Sequence, residues 1–251
     1  MAKWVCNLTW QDAPHLSEKA KEELLQSYSP HERDARSKGI PQLGAGAIYP
    51  VVESDVIVEP FRIPEHWPRA YALDVGWNKT AAVWGTYDQK SDVWYLYSEH
   101  YRGQAEPSIH ADAIKARGSW MAGVVDCHSK ARGNAYGEQL SVLYANLGLH
   151  LDNAENGPGT LEPGILDVYQ RLSSGRLKVF SHLLNWRAEF RIYRRDKNGR
   201  IVDKNDHLMD CTRFLVTSGH KIMDTPPPEF AEDGIQYRPS SKQGRSDICG
   251  Y

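Results

Sequence analysis

The chain contains an apolar run that ends in an acid and a turn: Tyr71-Ala72-Leu73-Asp74-Val75-Gly76-Trp77. Its apolar character predicts a strand over 70–76, and the short connection at 77–79 leads into a second predicted strand over 80–87. A third strand is predicted over 93–101, after a turn at 88–92. Because the connections are short, the three strands are expected to form an antiparallel meander.

The rest of the chain alternates between helix and strand. The predicted elements are a helix at 106–117, a buried strand at 121–125, a helix at 136–147, a strand at 149–151, a helix at 165–172, a strand at 176–180, a helix at 183–193 and a last helix at 206–217. Three antiparallel strands leading into parallel ones, with helices flanking a mixed sheet, are typical of the ribonuclease H-like arrangement of the α/β class. In that arrangement the first strand is central, and the strand after the first helix lies beside it.

Three acids occupy positions that this topology brings together. Asp74 and Asp126 each end an apolar run, so both lie where parallel strands place their sites, and Asp210 lies in the last predicted helix. Clustered carboxylates stay ionised together only beside a cation, and oxygen ligands suit Mg²⁺ or Mn²⁺. The pattern predicts a metal-dependent nuclease, since a pair of such ions serves phosphodiester hydrolysis. The alternative is that each acid is an ordinary turn or cap residue.

Other candidate groups lie close to these acids in sequence. Asp206, one helical turn before Asp210, is either a supporting residue or an alternative metal ligand. Glu99 ends the third strand, and His128 lies two residues beyond Asp126. Both are candidate auxiliary groups, with an ordinary surface side chain as the alternative for each.

Basic residues supply candidate contacts to a phosphate backbone. Seven cations crowd into 187–204, where Asp196-Lys197-Asn198-Gly199 predicts a tight hairpin turn. The alternative interpretation is that this basic run is an ordinary solvent-exposed face. The candidate DNA-binding residues are Lys130 and Arg132, in the loop after Asp126, and Arg194, Arg195 and Lys197 on the hairpin.

Composition narrows the possible classes of protein. With 41% hydrophobic and 25% charged residues among 251, the chain has the profile of a soluble globular protein, and no apolar stretch approaches the roughly 20 residues that span a bilayer. The N-terminus has no apolar region of a secretory signal. Four scattered cysteines without a C-x-x-C pair argue against a zinc ribbon or disulfide framework and favour a reducing compartment. The net charge of −2 predicts weak DNA binding.

Four segments, taken in order, resemble the C-terminal nuclease part of the large terminase subunit of tailed bacteriophages. They are Trp10-Gln11-Asp12-Ala13-Pro14-His15-Leu16, the stretch 31–50, the stretch 73–82 that begins Leu73-Asp74-Val75-Gly76-Trp77, and Asp203-Lys204-Asn205-Asp206-His207-Leu208-Met209-Asp210-Cys211-Thr212-Arg213-Phe214. The resemblance covers about residues 4–218. One departure concerns the middle acid: many relatives have a proline or small residue after it, where this chain has Cys127-His128.

The resemblance implies an endonuclease that cuts concatemeric viral DNA during genome packaging. It implies two Mg²⁺ or Mn²⁺ ions, with Asp74 bridging both, Asp126 holding one and Asp210 the other. The implied partners are double-stranded DNA, the terminase small subunit, the portal protein of the procapsid and an N-terminal ATPase domain, with no membrane. The implied location is the cytoplasm of the infected bacterial host, transiently at the procapsid portal and outside the mature virion.

Large terminase subunits begin with a packaging ATPase, whereas this sequence has no G-x-x-x-x-G-K-[ST] loop. We therefore expect an excised nuclease fragment or a protein with the nuclease alone. The expected organisation is a connection from the missing ATPase domain at 1–68, the nuclease at 69–219 and a flexible tail at 220–251. Two other functions stay open: a ribonuclease H-like resolvase or strand-transfer enzyme, and a catalytically silent module that docks on the portal or small subunit.

Overall fold

The computed structural model describes residues 9–13, 15–28, 33, 37, 46–126 and 142–227. Within these ranges, seven strands form a single mixed sheet flanked by helices. The strands are β1 (Ile57–Val58), β2 (Arg69–Asp74), β3 (Thr80–Asp88), β4 (Val93–Arg102), β5 (Ala122–Val125), β6 (His150–Asn153) and β7 (Leu177–Phe180). The α-helices are α1 (Glu18–Ser27), α2 (Glu53–Val56), α3 (Pro107–Lys115), α4 (Leu161–Ser173), α5 (Leu184–Ile192) and α6 (His207–Ser218), and residues 142–146 are also helical.

The sheet has the strand order β1-β7-β4-β3-β2-β5-β6. The pairs β2–β3 and β3–β4 are antiparallel, whereas β2–β5, β5–β6, β4–β7 and β1–β7 are parallel. The predicted meander is confirmed, and so is the placement of β5 beside β2 inside the sheet. The α/β class and the ribonuclease H-like mixed sheet predicted from the sequence are therefore confirmed.

The edge strand β1 was not predicted. Ile57 and Val58 pair in parallel with Val179 and Phe180 of β7, although they lie in the proline-punctuated stretch expected to be a connection. A strand of two residues has no periodicity to detect, so its formation depends on the neighbour that it pairs with. The segment before residue 69 thus contributes directly to the sheet.

A buried layer between the sheet and α6 forms the core. Helix α6 packs on β2 and β3 and is buried on most of its surface, with Leu208, Phe214 and Leu215 at most 2% exposed. Close packing also constrains β5, where a Cβ at Gly123 would lie 2.3 Å from the ring of Tyr71, its partner in register. Glycine at this position lets an aromatic ring lie across the sheet.

Both ends of the described chain show local order. Near the N-terminus the chain forms α1, and the Ser17 hydroxyl caps this helix by accepting from the Ala20 amide at 3.2 Å. At the other end, Asp224 pairs with Arg69 at the start of β2. The structure describes the proposed tail up to residue 227. Among the described residues, none of the helices has the length and apolar character needed to cross a membrane.

A buried histidine pair joins α3 to β4. His100 Nε2 and His110 Nδ1 lie 2.9 Å apart, and the two residues are 7% and 2% exposed. Burial, Arg117 and the neighbouring His110 lower the pKa of His100 from 6.5 to about 4, and burial lowers the pKa of His110 as well. The folded protein therefore holds this pair neutral at pH 7.

We expect this pair to make the fold sensitive to mild acid. Because the folded pKa of His100 lies below its unfolded value, stability is fully present above about pH 6.5 and is lost as the pH falls toward 4. The loss from His100 amounts to about 3 kcal/mol at most. Urea unfolding between pH 7 and pH 4.5 measures it, and the difference should shrink in His100→Phe. An equal pH dependence in that variant would show that other groups cause it.

Candidate active site

Two of the three acids lie side by side at one edge of the sheet. Asp74 is the last residue of β2, and Asp126 directly follows β5. The two strands are parallel, with Leu73 paired to Val125, so the acids that follow them occupy equivalent positions at the carboxyl ends. This register confirms the prediction that Asp74 and Asp126 are neighbours.

The third acid, Asp210, lies on α6. Asp210 lies in the first turn of this helix, and the next residue, Cys211, points its thiol at the Ala81 carbonyl of β3, 3.4 Å away. Ala81 is the β3 partner of Asp74, so the start of α6 lies over the end of β2. Cys211 is fully buried.

Each acid accepts a hydrogen bond from a different neighbour. His207 Nδ1 lies 2.7 Å from Asp74 Oδ2, and Asn156 Nδ2 donates to Asp126 Oδ2 at 2.7 Å. Asp210 Oδ1 accepts from Arg213, with its Nη2 at 2.9 Å and its Nε at 3.3 Å. These three donors orient the carboxylates.

The acids also affect one another electrostatically. Burial raises the pKa of Asp210, the Arg213 guanidinium opposes that shift, and the nearby charges of Asp74 and Asp126 add to it. The hydrogen bond to Asp74 raises the pKa of His207. Three carboxylates that repel one another favour an additional cation, even with His207 beside Asp74 and Arg213 beside Asp210.

Asp206 lies at the N-cap position of α6 and is 6% exposed. Burial and then the neighbouring charge of Asp210 raise its pKa to about 7. Its backbone carbonyl accepts from the Asp210 amide at 2.8 Å, which places the two acids one turn apart. Its role as a ligand or as a support for Asp210 stays a prediction.

Glu189 anchors the start of α6, although the sequence contained no pattern that predicted it. Its Oε2 accepts from the Leu208 amide at 2.6 Å, and its Oε1 accepts from the Tyr101 hydroxyl at 2.7 Å. Burial raises the pKa of this carboxyl. Glu189 on α5 and Tyr101 on β4 thereby hold the helix that carries Asp206 and Asp210.

Glu99 has a capping function in this structure. Its Oε1 accepts from the backbone amide and side chain of Asn185, at 3.0 and 2.8 Å, and its Oε2 accepts from the Trp186 amide at 2.9 Å. A carboxylate at this end of α5 satisfies amides that the helix leaves without partners. The side chain suggested as an auxiliary group is therefore directed at α5, and its auxiliary role stays a prediction.

The predicted hairpin turn forms, and its cations divide into two groups. Gly199 adopts a positive φ of 77°, as the Asn-Gly pair predicted, and Arg195 bridges to Ile201 across the turn. The guanidinium of Arg195 is held by both oxygens of Glu162, at 2.8 and 2.6 Å. Arg194 and Lys197 are exposed.

Two other cations of the basic run are structural. Arg187 and Arg191 both donate to the Glu53 carboxylate of α2, at 2.7 and 2.6 Å. Together with the pairing of β1, this ties the segment before residue 69 to α5 and β7. The candidates Lys130, Arg132 and His128, and the departure at Cys127, lie outside the described residues.

A divalent ion suits the chemistry of the three acids, which offer oxygen ligands alone. As they stand, the side chains in the described ranges contain no group of three or more His, Cys, Asp and Glu that could hold a metal ion. In this structure one oxygen of each carboxylate accepts a hydrogen bond, from His207 to Asp74, from Asn156 to Asp126 and from Arg213 to Asp210.

Comparisons with known proteins agree with this fold. The model of a family described as "Terminase RNaseH-like domain" matches residues 71–218, and one described as "Terminase large subunit, T4likevirus-type, N-terminal" matches residues 2–55. The large terminase subunit of Salmonella phage P22 is 36% identical over 222 residues, which cover 84% of this chain and 43% of that protein. The chain therefore spans less than half the length of this relative.

Solved structures carry the same fold. The nuclease domain of the P22 large terminase has a TM-score of 0.67 at 29% identity, covering 72% of this chain and 96% of that one. The large terminase nuclease from thermophilic phage G20c, solved with bound magnesium, has a TM-score of 0.51 at 15% identity, covering 70% and 99% of the respective chains. Since the first family model spans more than half of the sequence, the chain belongs to the terminase RNaseH-like domain family.

Proposed function

We propose that this chain is a metal-dependent endodeoxyribonuclease that cuts concatemeric viral DNA during genome packaging. The observation that carries the proposal is the meeting of Asp74, Asp126 and Asp210 at the carboxyl edge of the sheet. Membership of the terminase RNaseH-like family supports the same reading. The bound magnesium of the G20c nuclease illustrates the kind of ion that this fold can accommodate.

The three acids have distinct proposed roles. Asp74 would contact two Mg²⁺ or Mn²⁺ ions, while Asp126 would hold one of them and Asp210 the other, with Asp206 as a support beside Asp210. When bound, the ions would activate a water for in-line attack on phosphorus and neutralise charge on the leaving 3′ oxygen, leaving 5′-phosphate and 3′-hydroxyl ends. The protein's own contribution is orientation, since His207 and Glu189 fix Asp74 and the start of α6.

The proposed partners follow from the same family. Double-stranded DNA is the substrate, and the ATPase domain, the terminase small subunit and the procapsid portal are the proteins with which it would act, in the infected host cell. The match of residues 2–55 to an N-terminal model of large terminases supports the proposed connection to an ATPase. The Glu53 ion pairs with Arg187 and Arg191 and the pairing of β1 would transmit the position of that connection to the nuclease.

Plasmid cleavage tests the proposed function directly. Supercoiled DNA is incubated with the full chain in Mn²⁺, in Mg²⁺ or in EDTA, and nicked and linear products are resolved on a gel. We expect products with a divalent ion and none with EDTA. A folded chain that cuts nothing with either ion would contradict the proposal and favour a docking module, whereas preferential cutting of a four-way junction would favour a resolvase.

The exposed hairpin cations should contribute to DNA affinity. For the double variant Arg194→Ala/Lys197→Ala we expect weaker binding to duplex DNA and a salt dependence reduced by roughly one to two in the slope of log K against log salt. Fluorescence anisotropy from 50 to 200 mM salt measures both quantities.

The matched control for the hairpin variant is Lys90→Ala. Lys90 is an exposed lysine in the β3–β4 turn, at the end of β3 that lies away from Ala81 and Asp74. Its binding should equal that of the parent chain. If the hairpin variant and Lys90→Ala bind alike, the hairpin has no role in holding DNA.

A further inference from the structure

The structure links two of the acids through neighbours that no sequence pattern identified. Arg213 Nη2 and Nε donate to Asp210, and Arg213 Nη1 reaches Asn156 Oδ1 at 3.4 Å. Asn156 Nδ2 in turn donates to Asp126 Oδ2 at 2.7 Å. We propose that Arg213 and Asn156 are positioning residues, forming a bridge that sets the placement of Asp126 relative to Asp210. This inference rests on the proposed function, because it concerns the same metal site.

Arg213 is built into the core of the domain. It is 3% exposed, which is rare for an arginine, and its guanidinium stacks on the ring of Phe214 at 4.4 Å. Helix α4 makes room for it with Gly164, where a Cβ would lie 2.9 Å from Arg213 Cγ. A side chain confined in this way has little rotamer freedom, so the carboxylate that it holds is also fixed.

Asn156 provides the other half of the bridge. It lies in the loop between β6 and α4, and its amide group offers both a donor to Asp126 and an acceptor to Arg213. Asp126 and Asp210 belong to elements far apart in the chain, the end of β5 and the first turn of α6. The bridge therefore joins elements whose relative position determines the spacing of the two acids.

A competing explanation is that Arg213 acts through its charge alone. A cation beside Asp210 would then repel a metal ion, and its removal would tighten metal binding. The bridge makes the opposite prediction, because neighbours that orient metal ligands typically account for 10- to 100-fold in affinity. Lysine separates the two, since it keeps the charge but lacks the planar fork of donors that spans Asp210 and Asn156.

The decisive measurement is Mn²⁺ affinity by isothermal titration calorimetry on the full chain and its variants. We expect Arg213→Lys and Asn156→Leu each to bind Mn²⁺ roughly tenfold more weakly than the parent. Asn156→Leu, a change in a loop that keeps the branching at Cγ, should melt within about 3 °C of the parent in EDTA, so its lost affinity would not reflect unfolding. Arg171→Lys, an arginine paired with Asp92 elsewhere in the domain, is the matched control with parental affinity.

Three results would overturn the bridge. They are parental affinity in Asn156→Leu, parental affinity in Arg213→Lys, and tighter Mn²⁺ binding in Arg213→Gln, the last of which would assign Arg213 a purely electrostatic effect. A parent chain that binds no Mn²⁺ would instead contradict the metal site of the proposed function itself. The loop variant keeps the test valid even where a change at the buried Arg213 prevents folding.

Discussion

Asp74→Asn is expected to abolish metal-dependent plasmid cleavage, with a loss on the order of a thousand-fold, or about 4 kcal/mol of transition-state stabilisation. Asp74 is the acid proposed to contact both ions, and it lies between β3 and β5 at the edge where the other acids converge. Asparagine has the same shape but one fewer oxygen ligand and no charge. Initial rates of nicking in Mn²⁺ measure the effect.

The control for Asp74→Asn is Asp112→Asn, which changes an exposed aspartate on α3 whose partner is Lys115. It should cleave at the parental rate. Circular dichroism and the melting temperature in EDTA establish that Asp74→Asn is folded. If this variant retained a tenth or more of the parental rate, Asp74 would not be an essential ligand and the assignment of the bridging role would be wrong.

Trp186→Ala is expected to give the largest loss of stability, about 3–5 kcal/mol. The indole is 0% exposed, stacks on Phe190 at a centroid distance of 5.0 Å, and donates from Nε1 to Thr212 Oγ1 of α6 at 2.8 Å. Its removal leaves a cavity between α5 and α6 and a hydroxyl without its donor. Total stabilities of about 5–15 kcal/mol are ordinary for a domain, so this loss is large.

Equilibrium urea unfolding in EDTA compares Trp186→Ala with Leu184→Ala, a change on the same helix at a side chain that is 66% exposed. The surface variant should lie within about 0.5 kcal/mol of the parent. Equal losses in the two variants would mean that the contact of α5 with α6 adds little to the fold. Because α6 carries Asp210, we also expect Trp186→Ala to weaken Mn²⁺ binding.

The fold was largely predictable because its elements are local and strongly patterned. The runs that became β2, β3 and β4 are separated by short turns, which makes antiparallel pairing the simplest outcome. The apolar run before Asp126 suits a buried parallel strand, as β5 proved to be. The edge strand β1 was missed because its two residues pair with β7, more than a hundred residues away in the chain.

The acids of the candidate site were predictable from the sequence, whereas the side chains that orient them were not. Aspartates at strand ends stand out in a sequence, and the topology places them together. Glu189, Asn156 and the Asp74 contact of His207 have no such signal, since their partners are chosen by packing. Arg213 is one turn beyond Asp210 and could have been suspected from that spacing, although its burial and its reach to Asn156 could not.

The sequence by itself determined the order of the strands and helices from β2 onward, the chain positions of the three acids and the turn at Asn198-Gly199, because hydrophobic period and backbone preference act over a few residues. The tertiary structure alone decided which groups orient those acids. It directed Glu99 to the end of α5, Arg195 to Glu162, and Arg213 to Asp210 and Asn156. A charged side chain can pair with any opposite charge that lies near it. Only the packing of the whole chain determines which partner that is.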